Sequence, residues 1–236
     1  MSYQITDFSI SEGVPDPDHL IQAWLPEIEI AARDFIPNDK VQAFFLAALR
    51  MSAKSKSLAA FNLFAIVDRS GYSRSTFFRL FEGYTGFLLS GYQMTCSLSI
   101  KVYAKYLSQK AMTLDEFIEF SADVLYGANC SIPNEITKTL WTESEQDHLV
   151  FHKHLKELAS VMQNYLNWNP ATSKLPIEED DILEVVRMLD WELLQARVDG
   201  SEQFPSIPHY WRLRRILAGY LKQFEEDGPV AQITSQ

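Results

Sequence analysis

The sequence predicts an all-α fold in two parts, a small three-helix unit with a helix-turn-helix followed by a larger helical domain. Three observations carry this reading. From residue 18 onward, apolar residues recur at the i, i+3, i+4 spacing of helices. No stretch shows the strict apolar–polar alternation of a half-buried strand. Residues 62–89, NLFAIVDRSGYSRSTFFRLFEGYTGFLL, place two short helical patterns on either side of a glycine, which is the pattern of a helix-turn-helix. The chain therefore divides into an acidic N-terminal extension (1–39), a helix-turn-helix unit (40–90) and a helical domain (91–236).

Residues 1–17 read as irregular, with Gly13, Pro15 and Pro17. From Asp18 to Phe35, Ile21, Trp24, Leu25, Ile28, Ala32 and Phe35 keep helical spacing. Pro26 interrupts the pattern and is expected to kink or split the helix. Trp24 and Ile28 look like packing residues, so this helix is expected to dock on the body of the protein. The competing expectation is an acidic arm that shields a basic face. Residues 41–56 form the next helix, with Val41, Phe44, Phe45, Ala48 and Leu49 on its apolar side.

Local signals then place the helix-turn-helix. Asn62 can cap the first short helix, whose apolar face is Leu63, Ile66 and Val67. Gly71 suits the left-handed turn that must end it, and Ser73 can cap the second helix. Phe77 and Phe81, four apart, share an inward face. Phe45, Leu49, Leu63, Val67, Phe77 and Phe81 are the expected small core. Arg74, Ser75, Phe78, Arg79 and Leu80 are expected to point outward, with Thr76 near the helix start. Further helices are expected at 86–109, from Thr113 or Asp115 to Tyr126, from Pro133 to Trp141, at 145–166, at 179–198, and from Pro208 to Glu226.

The formal net charge is −10, which by itself argues against a polyanionic partner. Its distribution reverses that reading. Residues 1–39 carry one basic and eight acidic side chains, residues 40–92 seven basic and two acidic, and residues 93–236 thirteen basic and twenty-one acidic. The basic island coincides with the helix-turn-helix, as phosphate contact requires. No run of eighteen apolar residues is present, so no membrane partner is expected. The polar, acidic N-terminus does not resemble a signal peptide. Two cysteines, Cys96 and Cys130, make no disulfide framework. Together these features lead to the expectation of a cytoplasmic protein.

The run AIVDRSGYSRSTFFRLFEGYTGFLL resembles the DNA-binding segment of the TetR family of bacterial transcriptional regulators. Ile66, Gly71, Ser73, Phe78 and Phe81 stand in register with that family's motif, and the similarity covers about residues 41–90. The chain departs from it at Val67, at Ser70 and at Tyr84, which occupies the position of a helix-opening lysine. The resemblance implies a homodimer that binds a double-stranded DNA operator and responds to an effector, most often as a repressor. Arg74, Ser75, Phe78 and Arg79 would face the major groove, where an arginine can read a guanine edge. Lys54, Lys56, Ser73 and Thr76 would lie against phosphate, and Tyr84, on the same DNA-facing surface, would remove the phosphate contact that a lysine there makes. Effector binding would move the long helix beginning near Thr85. The alternative is a helical ligand- or protein-binding module of the same fold that has lost specific DNA binding.

Two apolar stripes are expected to pair with a second copy: Val185, Val186, Leu189 and Leu193 in one helix, and Leu213, Ile216, Leu217 and Tyr220 in the last. Large side chains in the middle helices suggest a pocket for a small apolar or aromatic effector. Tyr103, Phe120, Tyr126, Trp141, His148, Phe151 and Trp191 are its candidate lining. His148, His152 and His154 with Asp147 form the one metal-like cluster, but no HExxH accompanies them, so no metal is expected. With no phosphate-binding glycine loop, GxSxG or kinase signature, neither a catalytic residue nor a cofactor is expected.

Overall fold

The computed structural model describes residues 16–54, 62–130, 132, 148–198 and 207–226. Lys56, Trp141, Asp147 and the helix expected from Pro133 to Trp141 lie outside the described residues, as do the side chains of Lys54, Cys130, His148, Phe151 and His152. All regular elements among the described residues are helical. They are α1 (Pro17–Phe35), α2 (Asp39–Lys54), α3 (Leu63–Ser70), α4 (Arg74–Phe81), α5 (Tyr84–Leu107), α6 (Leu114–Cys130), α7 (His148–Trp168), α8 (Glu179–Val198), α9 (Ile207–Leu221) and α10 (Gln223–Glu226). None is long and apolar enough to cross a membrane.

Short polar motifs set the helix starts. Asn38 Oδ1 accepts from the backbone N–H of Lys40 at 3.0 Å and of Val41 at 3.2 Å, opening α2. Thr113 and Glu116 cap α6 reciprocally. The Thr113 hydroxyl accepts from the Glu116 N–H at 3.3 Å, and the Glu116 carboxylate accepts from the Thr113 N–H at 2.8 Å. Asn169, fully buried after α7, donates to the Met112 carbonyl and so ties the end of α7 to the α5–α6 turn.

Two cores result. The smaller one joins α2, α3, α4 and the start of α5 around Phe44, Ala48, Met51, Ile66, Phe77, Phe81, Phe87 and Leu88. Four of its rings pack at centroid distances from 4.9 to 5.8 Å, several of them edge to face. The larger core runs from α1 through α5, α6, α7, α8 and α9. Helix α1 packs on α2, α5 and α6, while α9 packs on α6 and α8. Phe45 and Leu49, expected in the small core, belong to the large one. The reason is that α2 is covered on two sides. Phe44 and Ala48 face α3 and α4, while Phe45, Leu46 and Leu49 face the body. Leu63 and Val67 are half-buried at the rim of the small core, and the fully buried residue of α3 is Ile66.

Helix α1 is docked, with Trp24 and Ile28 buried. It is not split at Pro26, which lies on the exposed side of a continuous helix, where water can satisfy the carbonyl a proline orphans. Its acidic residues meet basic ones of the body. Glu29 takes both donors of the Arg50 fork at 2.7 Å, and Glu27 pairs with Lys105 at 2.9 Å.

Candidate functional site

The helix-turn-helix forms as local chemistry dictates. Asn62 Oδ1 accepts from the Ala65 N–H at 3.0 Å, satisfying a donor that the first turn leaves open. Helix α3 ends at Gly71 with φ 75°, a left-handed conformation. Ser70, a departure from the family motif, stabilises the turn. Its hydroxyl donates to the Val67 carbonyl at 2.8 Å and accepts from the Tyr72 N–H at 3.2 Å. Ser73 then caps α4 by accepting from the Thr76 N–H at 3.2 Å. Loss of such a cap costs about 1 kcal/mol. The same hydroxyl lies 2.9 Å from that of Ser75 and 3.0 Å from that of Thr76. Three hydroxyls therefore gather at the start of α4.

The faces of α4 divide cleanly. Phe77 and Phe81 are buried, and Arg74, Ser75, Phe78 and Arg79 are exposed. Leu80, expected outside, is half-buried against the small core. The Arg74 guanidinium lies over the rings of Phe64 and Phe78. Phe64 was not anticipated from the sequence. Its signal was an aromatic residue off the Leu63–Ile66–Val67 stripe of its helix. Tyr84 is half-buried at the start of α5, and burial raises its hydroxyl pKa. Arg50, counted in the basic island, is committed to Glu29. That contact holds the Glu29 carboxyl below its ordinary value and the Arg50 guanidinium above its own.

A second feature lies in the large core. A partly open cavity of about 120 Å³ lies between α5, α6, α7 and α8, near the size class that accepts a benzene-sized molecule. Tyr92, Cys96, Ile100, Leu155, Leu158 and Leu189 supply much of its apolar wall, and Thr95, Ser99, Asn129, His154 and Asp190 add polar groups. Tyr103 lines it, and its hydroxyl is 2.6 Å from that of Ser121. Burial pushes the Tyr103 hydroxyl pKa well up.

The other described pocket candidates lie elsewhere. Phe120 stacks on Tyr103 at 5.7 Å from outside the lining. Tyr126 is buried edge-on against Tyr210, and Trp191 is exposed.

The stripe assigned to a dimer surface is corrected in the same way. Val185, Val186, Leu189, Leu193, Leu213 and Leu217 are buried within the chain's own core, because α8 and α9 turn those faces on one another, on α6 and on α7. Val186, Leu189 and Leu193 are cavity wall. Ile216 and Tyr220 are half-buried beside them. His154 faces the cavity, and no group of three potential metal ligands gathers among the described residues. Comparison of the chain with known protein families, with characterised proteins and with solved structures finds no match.

Proposed function

We propose that the chain is a sequence-specific DNA-binding transcriptional regulator on the TetR plan, most simply a ligand-responsive repressor. One observation carries the reading. The solvent face of α4 presents Arg74, Ser75, Phe78 and Arg79 from a capped helix-turn-helix whose other face is locked into an aromatic core. Such a helix fits the major groove, its first turn reaching the bases, and the hydroxyls of Ser73 and Thr76 suit phosphate contact.

The cavity supplies a route for control. Helix α5 forms one of its walls and begins three residues after α4 ends. A small, largely apolar effector seated between Tyr92 and Tyr103 would displace α5 and with it the reading head. The two heads of a homodimer would then lose the spacing that an operator demands.

The test is a gel shift with duplex fragments that the wild-type chain selects from a random pool. Arg74→Ala combined with Arg79→Ala is expected to abolish binding while leaving the far-ultraviolet spectrum and oligomeric state unchanged. Wild-type binding should also weaken steeply with salt, since each phosphate contact releases counterions. Unchanged binding by the double variant would overturn the assignment and favour a ligand- or protein-binding module.

A further inference from the structure

Phe64 is 68% exposed, more than any other large apolar side chain among the described residues. It stands on α3, away from the face that Ile66 buries, and no core depends on it. Its ring has a specific neighbour. The Arg74 guanidinium carbon lies 5.0 Å from the centroid of Phe64 and 5.6 Å from that of Phe78. Phe78 is four residues from Arg74 on the same helix, so their contact follows from helical spacing. Phe64 comes from the other helix, across the turn. Among the described residues no carboxylate pairs with Arg74.

This arrangement has chemical consequences. A guanidinium held over aromatic faces is attracted by their quadrupoles, while its N–H donors, which lie in its own plane, stay available. That donor fork matches O6 and N7 of guanine. Holding the long arginine side chain before DNA arrives lowers the entropy lost on contact. The flanking rings add apolar surface of the kind that meets a thymine methyl group.

We propose that Phe64, Arg74 and Phe78 form one base-reading unit, in which Phe64 is a specificity-determining residue: Arg74 reads a guanine, and the rings favour a thymine beside it. This rests on the DNA-binding reading above. Phe64 acts by holding Arg74 and by touching the neighbouring base, and it adds little to phosphate affinity.

The experiment compares wild type, Phe64→Ala, Phe64→Leu and Phe64→Tyr. Each is measured on duplexes selected by the wild type, on the same duplexes with the thymine beside the guanine replaced by uracil, and on mixed-sequence duplex. Phe64→Ala should lower guanine discrimination about tenfold, within the range of one bidentate contact, and leave mixed-sequence binding and its salt slope intact. Uracil substitution should weaken wild type and have a smaller effect on Phe64→Ala, which keeps only the Phe78 ring. Tyrosine should restore discrimination where leucine does not, because the ring face does the holding.

Equal base preference in wild type and Phe64→Ala would overturn the proposal while leaving the DNA-binding reading standing. Equal affinity for thymine and uracil sites would overturn the part assigned to the rings. Failure of the wild type to bind or select duplex DNA would overturn both readings.

Discussion

Asp123 sits in α6, where the Tyr210 hydroxyl of α9 donates to it at 2.8 Å. Burial raises its carboxyl from 3.8 to about 6, while the Tyr210 bond and Arg214 pull it back and Glu119 pushes it further up. Arg214 also pairs with Glu119, so this contact between two helices carries two acids and one base. The sign of the linkage follows from proton uptake. Between about 4 and 6 the folded chain holds a proton on Asp123 that the unfolded chain has lost, so this residue's contribution to stability falls as pH rises through that window. Asp123→Asn keeps an acceptor for Tyr210 and removes the titration. Thermal denaturation from pH 4 to 7 should show the variant gaining on wild type as pH rises, the gain levelling off above the raised pKa. A constant difference across the range would contradict this environment for Asp123. Glu29 and Glu116, whose carboxyls are held low, act in the opposite direction in both proteins and cancel from the difference.

At the scale of elements, the joint between α4 and α5 leaves no room for a side chain at Gly86. Glu82 at φ 58° and Gly83 at φ 146° turn the chain between the two helices. A methyl group at Gly86 would stand 2.1 Å from the Phe81 carbonyl oxygen. That neighbour is backbone, so relief requires the helices to part. Gly86→Ala should destabilise the head by about 1–3 kcal/mol, the usual cost of overpacking. It should also weaken DNA binding by tilting α4, read as a lower melting temperature together with a weaker gel shift. A variant as stable and as tightly bound as wild type would exclude a rigid joint. What was legible in the sequence divides along the same physical line. Asn62, Gly71 and Ser73 were readable because a cap or a left-handed turn is settled within four residues. The two-sided burial of α2 was not, since Phe44 and Phe45 are equally apolar and only the packing of α3 and α4 on one side and of α1 on the other assigns one to each core. Likewise, Leu189 and Leu193 announced burial by their spacing, but spacing does not say what buries them. Cavity residues such as Ser99 and Asn129 carried no signal, because small polar side chains become a lining only after four helices close around them.

At the scale of the whole molecule, segregation of charge is what would let an acidic chain serve the proposed polyanionic partner. Carboxylates of α1 are committed to Arg50 and Lys105, and Arg74 and Arg79 stay exposed on α4. The proposed dimer would then form on surface that folding leaves uncovered. With the Val185–Leu193 stripe consumed internally, the outer face of α8 offers Trp191, 60% exposed, and Met188, 36% exposed, three residues apart and so on one side of the helix. Buried tryptophans are typical anchors of an interface, and an exposed one in a lone chain has apolar area to lose. Trp191→Glu should therefore convert a dimer to a monomer with no change in melting temperature beyond the subunit linkage itself. Sedimentation velocity at micromolar concentration would read the change directly. The same variant should bind a two-fold operator much more weakly while keeping salt-dependent affinity for mixed-sequence duplex, because each head is intact and only their fixed spacing is lost. A wild type that sediments as a monomer, or a Trp191→Glu chain that remains a dimer, would remove the outer face of α8 from the interface.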